Sequence, residues 1–321
     1  MQLKIELLKL LEANRDTYLS GQAIATHFGV SRNAVWKTAR ALMAEGYRIE
    51  AVKNRGYRLS KEDDMLSAVG IAGEIRHPTK GLAVYLHREI DSTNNKAKRL
   101  IAEGKGGLTL VVAEGQTAGR GRQGKSFYSP GQTGIYMTLS APVNIPLCDA
   151  VTVTGAVAVA VWQAIKDTTG ISTEIKWVND IYLGGKKIAG ILTEAISDLE
   201  AGATRHLVIG VGVNVHTTDF PEDLQAVAAS LSPIGVSRNR LIAAITDRLL
   251  DVIKRPQDTA YLSLYRKHSM VIGQEIVYTE NGIAHRARAL DIDDFGGLVV
   301  ERADGARGTL RSGEISVRLE K

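Results

Sequence analysis

Residues 116–128 read QTAGRGRQGKSFY and stand between a strand-like run, LTLVVAEG, and a Pro/Gly turn leading into a second strand, FYSPGQTGIYMTLSA. A glycine-rich loop held between two strands requires a sheet as its support. Gly119, Gly121 and Gly124 let successive backbone N–H groups converge on a ligand, and Arg120, Arg122 and Lys125 add charge that can follow anionic oxygens. Taken literally, Gly119 to Ser126 also fits the phosphate-loop pattern G-x-x-x-x-G-K-[ST]. That loop must open a helix, whereas here a turn and a strand follow, so the match is accidental. A basic clamp on a sheet remains, with a mobile basic surface loop as the plainer alternative.

The 321 residues, 44% of them hydrophobic, suffice for one large core and one or two small domains. No N-terminal stretch has the order of a secretion signal, and VTVTGAVAVAVWQAI is too short and too rich in Thr and Gly to span a bilayer. A cytoplasmic protein without membrane contact is expected. The single cysteine, Cys148, can form no internal disulfide and no cysteine metal cage.

The net charge of +5 is unevenly spread. Residues 1–60 hold ten Lys/Arg against five Asp/Glu; taken from the totals of 40 and 35, these leave thirty of each in the other 261. The amino-terminal segment is therefore the candidate for binding a polyanion. Leu3, Leu7, Leu10 and Leu11 recur at helical spacing, SGQAIATHFG reads as a second helix opened by Ser20, and SRNAVWKTARALMAEG as a third opened by Ser31. In the third, Val35, Ala39, Leu42 and Met43 face the core, which turns Arg32, Asn33, Trp36, Lys37 and Arg40 outward. YRIEAVKNRGYRL then changes to a strand period around Lys53-Asn54-Arg55-Gly56, and a basic hairpin after a recognition helix resembles the wing of winged helix-turn-helix DNA-binding domains. Ser31, Arg32, Asn33, Trp36, Lys37, Arg40, Lys53 and Arg55 are the expected DNA contacts; a basic solvated face on a small bundle is the alternative. Ser60 to Asp64 reads as a charged linker closing a domain of residues 1–64.

Beyond it, AVYLHREIDSTNNKAKRLIAEG reads as a strand feeding a helix at Asp91-Ser92-Thr93-Asn94. Capping accounts for one of these side chains; three in succession, Ser92, Thr93 and Asn94, exceed that need. EIKWVNDIYLGGKKIAGILTEAI reads as two strands joined at Gly184-Gly185, with Lys186 solvated and Lys187 facing inward, where it needs an anionic partner. Gly190 removes a side chain from that strand where something approaches closely. RHLVIGVGVNVH repeats the device with Gly210 and Gly212, which clear one face of a sheet, and Asn214 follows; glycine packed against a helix is the alternative.

In this order after a winged helix-turn-helix, IDSTN, QTAGRGRQGK, KWVNDIYL, KKIAGILTE and IGVGVNV resemble the biotin protein ligases of the bifunctional ligase–repressor type, from one end of the chain to the other. The resemblance implies an α+β multidomain chain. Its parts are a winged helix-turn-helix over 1–64, a central mixed-sheet α/β ligase domain like the class II aminoacyl-tRNA synthetases over 65–269, and an SH3-like β-barrel over 270–321. It implies that biotin and ATP, with Mg²⁺, form biotinyl-5′-adenylate, whose biotinyl group passes to a lysine of a biotin carboxyl carrier protein. By the same resemblance Ser92, Thr93, Asn94, Gln116, Arg120, Arg122, Lys187 and Gly190 surround biotin. Gly119, Gly121, Lys125, Phe127, Asn179, Asp180 and Asn214 match the nucleotide side, with Asp180 the one carboxylate offered to the metal. Arg120, Arg122 and Lys187 match the catalytic cations: a carboxylate attacking a phosphate brings two anions together, and clustered positive charge offsets the repulsion. The repressor half implies operator DNA and a homodimer. The alternative from another class is a DNA-binding regulator that senses a ligand through a degenerate catalytic domain; a third is lipoate ligation on the related fold.

Lys125 and Phe127 stand where the family often carries Arg and Trp, and Val178 replaces the proline of KWPND. Phe127 keeps an aromatic face but loses the indole N–H, and Lys125 keeps charge but loses the bidentate fork. From Val271 onward, QEIVYT, AHRARALDID, GLVVER and EISVRL read as four strands separated by Asn281-Gly282, Gly296-Gly297 and Asp304-Gly305. The resemblance sets Arg311, Ser312, Gly313 and Glu314 of this part close to the common site. Before it, NRLIAAITDRLLDVI is an amphipathic helix assigned to core packing.

Overall fold

The computed structural model describes every residue except 1, 78–79, 147–149, 199, 201, 233–236, 281–282, 312–317 and 320–321. Cys148, Ser312, Gly313, Glu314 and the Asn281-Gly282 turn therefore lie outside the described residues. The chain divides into two compact units, Met1–Arg76 with Pro233–Ala244 and His77–Ser232 with Ile245–Lys321.

In the first unit, α1 (Gln2–Ala13), α2 (Gly21–Phe28) and α3 (Arg32–Ala44) precede a hairpin of β1 (Ile49–Val52) and β2 (Gly56–Leu59). The Ser20 and Ser31 hydroxyls accept from Ala23 N and Ala34 N at 3.0 and 3.1 Å, satisfying an orphaned donor in each first turn. Leu7 and Leu11 of α1, Ile24 of α2, Val35, Ala39 and Leu42 of α3, and Ile49 and Leu59 of the hairpin form one core, with Leu10 and Met43 packed at its edge. Each large side chain buried there stabilises the unit by roughly 1.5–3 kcal/mol before chain entropy is counted. The hairpin turns through left-handed Asn54 and Gly56, at φ of 65° and 106°. A Cβ at Gly56 would run into the Leu19 backbone, so glycine lets β2 lie flush against the segment entering α2.

In the charged segment 60–64, Lys61 and Glu62 are exposed, whereas the two aspartates are held by the fold. Asp63 is 1% exposed and accepts from Arg48 N at 2.7 Å, while Asp64 Oδ2 holds the Nε of Arg238, itself 2% exposed, at 2.7 Å. The short helix α4 (Ala68–Glu74) follows, and the Ser67 N–H before it donates to Asn239 Oδ1 at 3.0 Å. The aspartates fold in because donors distant in sequence meet their carboxylates.

The second unit is built on β3 (Ala83–Ile90), β4 (Thr109–Gln116), β5 (Gly134–Pro146), β6 (Glu174–Lys176), β7 (Asp180–Leu183), β8 (Lys186–Asp198) and β9 (Ala203–Asn214). They form a mixed sheet in the order β3-β4-β5-β9-β8-β7-β6, in which β3 and β4 run parallel and the other pairs antiparallel. The parallel pair is joined through α5 (Thr93–Ala102), whose Ala97 and Leu100 pack on Val111 and Val208. The helix α6 (Ala150–Thr169) lies against β6, β7 and β8. Further on come α7 (Glu222–Gln225), α8 (Arg238–Lys254) and α9 (Tyr261–His268), the last packed on α6. Leu241, Ile242, Ile245 and Leu249 of α8 are fully buried, as its apolar stripe requires. Among the described residues no helix is long and apolar enough to cross a membrane.

The carboxy-terminal part adds an antiparallel sheet of β10 (Glu275–Glu280), β11 (Ile283–Ile292), β12 (Leu298–Arg302), β13 (Arg307–Leu310) and β14 (Arg318–Leu319), in the order β13-β12-β11-β10-β14. The sequence pattern marks four of these strands. The fifth, β13, buries Leu310 alone, too little alternation to stand out.

Candidate functional site

Cross-strand register sets the floor of the site. Asp180, Gly190, Gly212 and Tyr136 are successive partners in one row of the large sheet, and Leu192, Gly210 and Thr138 in the next. The Phe127 ring lies over the first row: a Cβ at Gly212 would come within 2.6 Å of its Cε1, and one at Gly190 within 3.2 Å of its Cε2. Over Gly210 lies Asn94 of α5, so this glycine does admit a helix residue. The two glycines of β9 thus serve different neighbours.

Residues 119–127 fold as a small hairpin above this floor. Phe127 N donates to Gly119 O at 2.9 Å, Gly121 N donates to Lys125 O at 2.7 Å, and a single 3-10 turn, Arg122–Gly124, closes the tip. A strand follows rather than a helix, as the rejection of the phosphate loop requires. Arg120 Nη1 donates to Asn95 Oδ1 at 3.1 Å, and Arg122 Nη1 to Asn179 Oδ1 at 3.3 Å. Burial pushes the Arg122 guanidinium down from its ordinary pKa, with the nearby Asp180 charge pulling the other way.

Lys187 reaches the site through a backbone irregularity. Ile181 pairs with Ala189 but Tyr182 pairs with Lys187, so β8 carries one extra residue, Ile188. In a regular strand Lys187 would face away from Gly190; the bulge turns it onto the face of Asp180, Tyr182 and Gly190. Its Nζ stands 2.7 Å from Asp180 Oδ1, the anionic partner expected of an inward lysine. That contact is a charge pair without hydrogen-bond alignment, since the buried Oδ1 has no aligned donor. Lys186, expected to be solvated, donates to Gln225 O at 2.8 Å. Burial first, and Asp180 second, push the Tyr182 phenol up to about 12, so it stays protonated beside the pair.

At the start of α5, Ser92 occupies the N-cap position but its hydroxyl makes no capping bond. The cap comes from Gln116, whose Oε1 accepts from Thr93 N at 2.9 Å and Thr93 Oγ1 at 3.2 Å. Capping therefore does not use Ser92. Asn94 is committed to the protein: its Nδ2 donates to Glu194 Oε2 at 2.8 Å and its Oδ1 accepts from Thr138 Oγ1 at 2.6 Å. Burial acts to raise the Glu194 carboxyl, but bonds from Asn94 and Lys98 outweigh it and hold the group below its ordinary value.

Two cavities meet at this point. Ser92, Thr93, Asn94, Gln116, Arg120, Gly190 and Gly210 line one, and Lys125, Ser126, Lys176, Asp180, Tyr182 and Val227 line the other. Gly121, Arg122, Phe127, Asn179 and Lys187 line both. Two cations and one aromatic ring therefore stand where a group held on one side meets a group held on the other. Asn214 and Gly119 line neither. Asn214 Nδ2 donates to Ala229 O at 3.1 Å and anchors the segment after α7, while Gly119 lies under the Phe127 carbonyl. Val227, Tyr182 and Glu194 are not singled out by the sequence pattern; for Glu194 the available signal is a carboxylate in an apolar strand.

The segment Lys176–Asp180 is held from outside the large sheet. Trp177 Nε1 donates to Gly296 O at 3.0 Å, and the buried Tyr265 hydroxyl to Val178 O at 3.1 Å. Arg311 lies beside the same β11–β12 loop, 3.6 Å from Asp293 Oδ2.

In the first unit, Arg32, Asn33 and Trp36 of α3 line a cleft together with Gln22 and with Lys53 and Asn54 of the hairpin. Lys37, Arg40 and Arg55 are exposed outside it, Arg40 over the Trp36 ring at 5.3 Å and Arg55 over Tyr18 at 4.2 Å. Ser31 is occupied as the cap of α3. Trp36 is 46% exposed, with the Arg40 guanidinium over its ring.

A two-part protein follows: one part is a helix-turn-helix module, and the other a sheet that brings two ligand cavities to one cluster of cations. The biotin/lipoate A/B protein ligase family model matches residues 86–214, a helix-turn-helix domain model residues 4–58, and a biotin protein ligase C-terminal domain model residues 271–318. The chain is 37% identical over 314 residues to the bifunctional ligase/repressor BirA of Bacillus subtilis, covering 95% of this chain and 96% of that one. It is 28% identical over 322 residues to the bifunctional ligase/repressor BirA of Escherichia coli, covering 98% and 97%. A biotin protein ligase from Aquifex aeolicus, solved with biotin and ATP, shares the fold with a TM-score of 0.60 at 24% identity, over 74% of this chain and 99% of that one. The chain belongs to the bifunctional biotin ligase/repressor family.

Proposed function

We infer that this protein activates biotin with ATP, hands the biotinyl group to a carrier protein, and represses transcription through its helix-turn-helix unit. The observation that carries the ligase reading is the pair of cavities sharing Arg122, Phe127, Asn179 and Lys187. Biotin is assigned to the cavity of Ser92, Thr93 and Gln116, with Asn94 supporting its wall, and ATP to the cavity of Lys125 and Asp180. A biotin carboxylate oxygen then attacks the α-phosphorus, the α–β phosphoanhydride bond breaks, and pyrophosphate leaves with the electron pair. Arg120, Arg122 and Lys187 offset the charge that gathers as the two anions meet. In the second step the uncharged ε-amine of a carrier lysine attacks the biotinyl carbonyl, AMP leaves with the carbon–oxygen pair, and the amine gives up a proton. No covalent link to the protein is needed.

The residues present fit a Mg²⁺ ion accompanying ATP. Asp180 Oδ1, 2.7 Å from Lys187 Nζ but without an aligned donor, is a hard oxygen that such an ion would take if the ATP phosphates drew the lysine to themselves. Among the described residues no cluster of His, Cys, Asp or Glu could hold a metal by itself, so Asp180 would share the ion with phosphate oxygens. Bound there, the ion would neutralise phosphate charge. The division proposed is 1–64 for operator DNA, 65–269 for ligation and 270–321 for support of the nucleotide side. Arg32, Asn33, Trp36 and Lys53 are assigned to operator contact, and a homodimer to a two-fold operator. An operator and a carboxylase carrier as partners imply a cytoplasmic protein. Biotin-dependent release of pyrophosphate from Mg²⁺-ATP tests the ligase, and selection of bound sites from random duplex DNA tests the repressor. A protein that bound its operator but released no pyrophosphate would be a sensor rather than an enzyme.

A further inference from the structure

Ser129 has no part in the assignments above, yet it joins the two halves of the site. Its side chain lies just past the hairpin of residues 119–127, is 7% exposed, and stands between Gln116 and Phe127. Gln116 Nε2 donates to Ser129 Oγ at 3.0 Å, and Ser129 Oγ donates to Phe127 O at 2.9 Å. The direction of this chain is fixed at both ends. Thr93 N–H can only donate, so it turns Oε1 of Gln116 toward α5 and Nε2 toward Ser129; the Phe127 carbonyl can only accept, so it takes the one hydroxyl proton. Among the described residues one N–H of Gln116 is then left for a ligand. The packing is too close for any side chain at Gly119, where a Cβ would lie 2.4 Å from the Phe127 carbonyl oxygen, 2.6 Å from Ser129 Oγ and 3.0 Å from Gln116 Nε2.

We propose that Ser129 is a positioning residue, which sets the Gln116 amide for the acid and couples it to Phe127, the ring shared by both cavities. The proposal rests on the reading of the first cavity as the biotin site. Without the hydroxyl, Gln116 loses the acceptor that orients its amide, and the Phe127 carbonyl loses its donor. One hydrogen bond of this kind is worth about 3- to 10-fold in affinity.

The test is a double-mutant cycle on the full chain, with biotin binding measured by calorimetry without nucleotide, and kcat and KM for ATP measured by pyrophosphate release. Ser129→Ala is expected to raise the biotin Kd about 3- to 10-fold and the KM for ATP in the same sense, and Ser129→Thr, which keeps the hydroxyl, to recover most of both. In a Gln116→Ala background the same Ser129→Ala step is expected to change the biotin Kd less than about twofold. Absence of biotin binding by the unmodified protein would overturn the reading of the cavity itself. Normal binding that Ser129→Ala leaves unchanged, or equal effects in both backgrounds, would overturn the relay alone.

Discussion

Alanine at Gly212 places one methyl group against the ring that both cavities share. Its Cβ would stand 2.6 Å from Phe127 Cε1, 2.8 Å from Cζ and 3.0 Å from Cδ1, where ordinary contact begins at 3.4 Å. The ring must therefore move by about 1 Å. Gly212 lies inside β9 and has no left-handed φ, so the backbone accepts alanine without strain. Phe127 is only half-buried and the hairpin tip beside it is exposed, so the ring can yield outward. Overpacking a closed core costs about 1–3 kcal/mol; with this escape we expect the low end of that range. Catalysis tolerates the shift less well, because a misplacement of about 1 Å at a reacting pair can cost about 100-fold. The expected result is a fall of about 10- to 100-fold in kcat/KM for ATP in a pyrophosphate-release assay, with cooperative unfolding kept. Gly107→Ala, whose Cβ meets nothing within 4 Å, is the control and should behave as the parent. Unchanged kcat/KM in a folded Gly212→Ala protein would refute the placing of the reaction beneath Phe127.

Lys187→Gln and Lys187→Glu should each lower adenylate formation by about 100- to 1000-fold, the cost of removing one pre-placed charge from a transition state. Both should fold, since Asp180 keeps 22% of its side chain in water, and undiminished pyrophosphate release would remove the lysine from the mechanism. Arg32→Ala and Lys53→Ala should weaken operator binding and spare ligation. Each variant that frees one DNA phosphate from its cation should reduce the slope of log affinity against log salt by about 1, and an unchanged slope for both would remove them from the interface. Point variants are preferred here to deletion of residues 1–64. Deletion would also take away Asp64, whose Oδ2 holds Arg238 Nε at 2.7 Å, and so would disturb the packing of α8 along with DNA binding. Asp91 gives a pH test. The Arg99 guanidinium, at 2.7 and 2.9 Å, holds its carboxyl well below the usual range. A carboxylate depressed on folding adds stability above about pH 4, which is lost as the pH falls through the folded value. The two side chains are 37% and 48% exposed, so screening limits the gain to under about 1 kcal/mol. Asp91→Asn should therefore lower urea stability slightly at pH 7 and by less at pH 2; an equal loss at both would assign the effect to packing.

Local chemistry makes much of this readable in sequence. Ser20 and Ser31 cap the helices they open, the Lys53–Arg55 turn makes the wing, and Gly212 clears the floor under Phe127, because each depends on a few neighbouring residues. What escapes depends on register or on distant partners. Lys187 reads as inward, yet its face is set by the bulge at Ile188, which pairing with β7 creates. Ser92 looks like a cap, but Gln116 takes over that bond from the next strand. Asp63 and Asp64 look solvated until Arg48 and Arg238 are brought to them by the fold. Asn94 is expected to hold ligand, but Glu194 and Thr138, remote in sequence, take up its amide.

One site joins biotin to ATP and then to a carrier lysine. This is tested most directly by incubating the purified protein with biotin, Mg²⁺-ATP and a biotin-acceptor domain and following the acceptor by intact mass. A single biotinyl increment on one lysine is expected, dependent on both biotin and ATP and lost with Lys187→Glu. No increment, with operator binding intact, would contradict it.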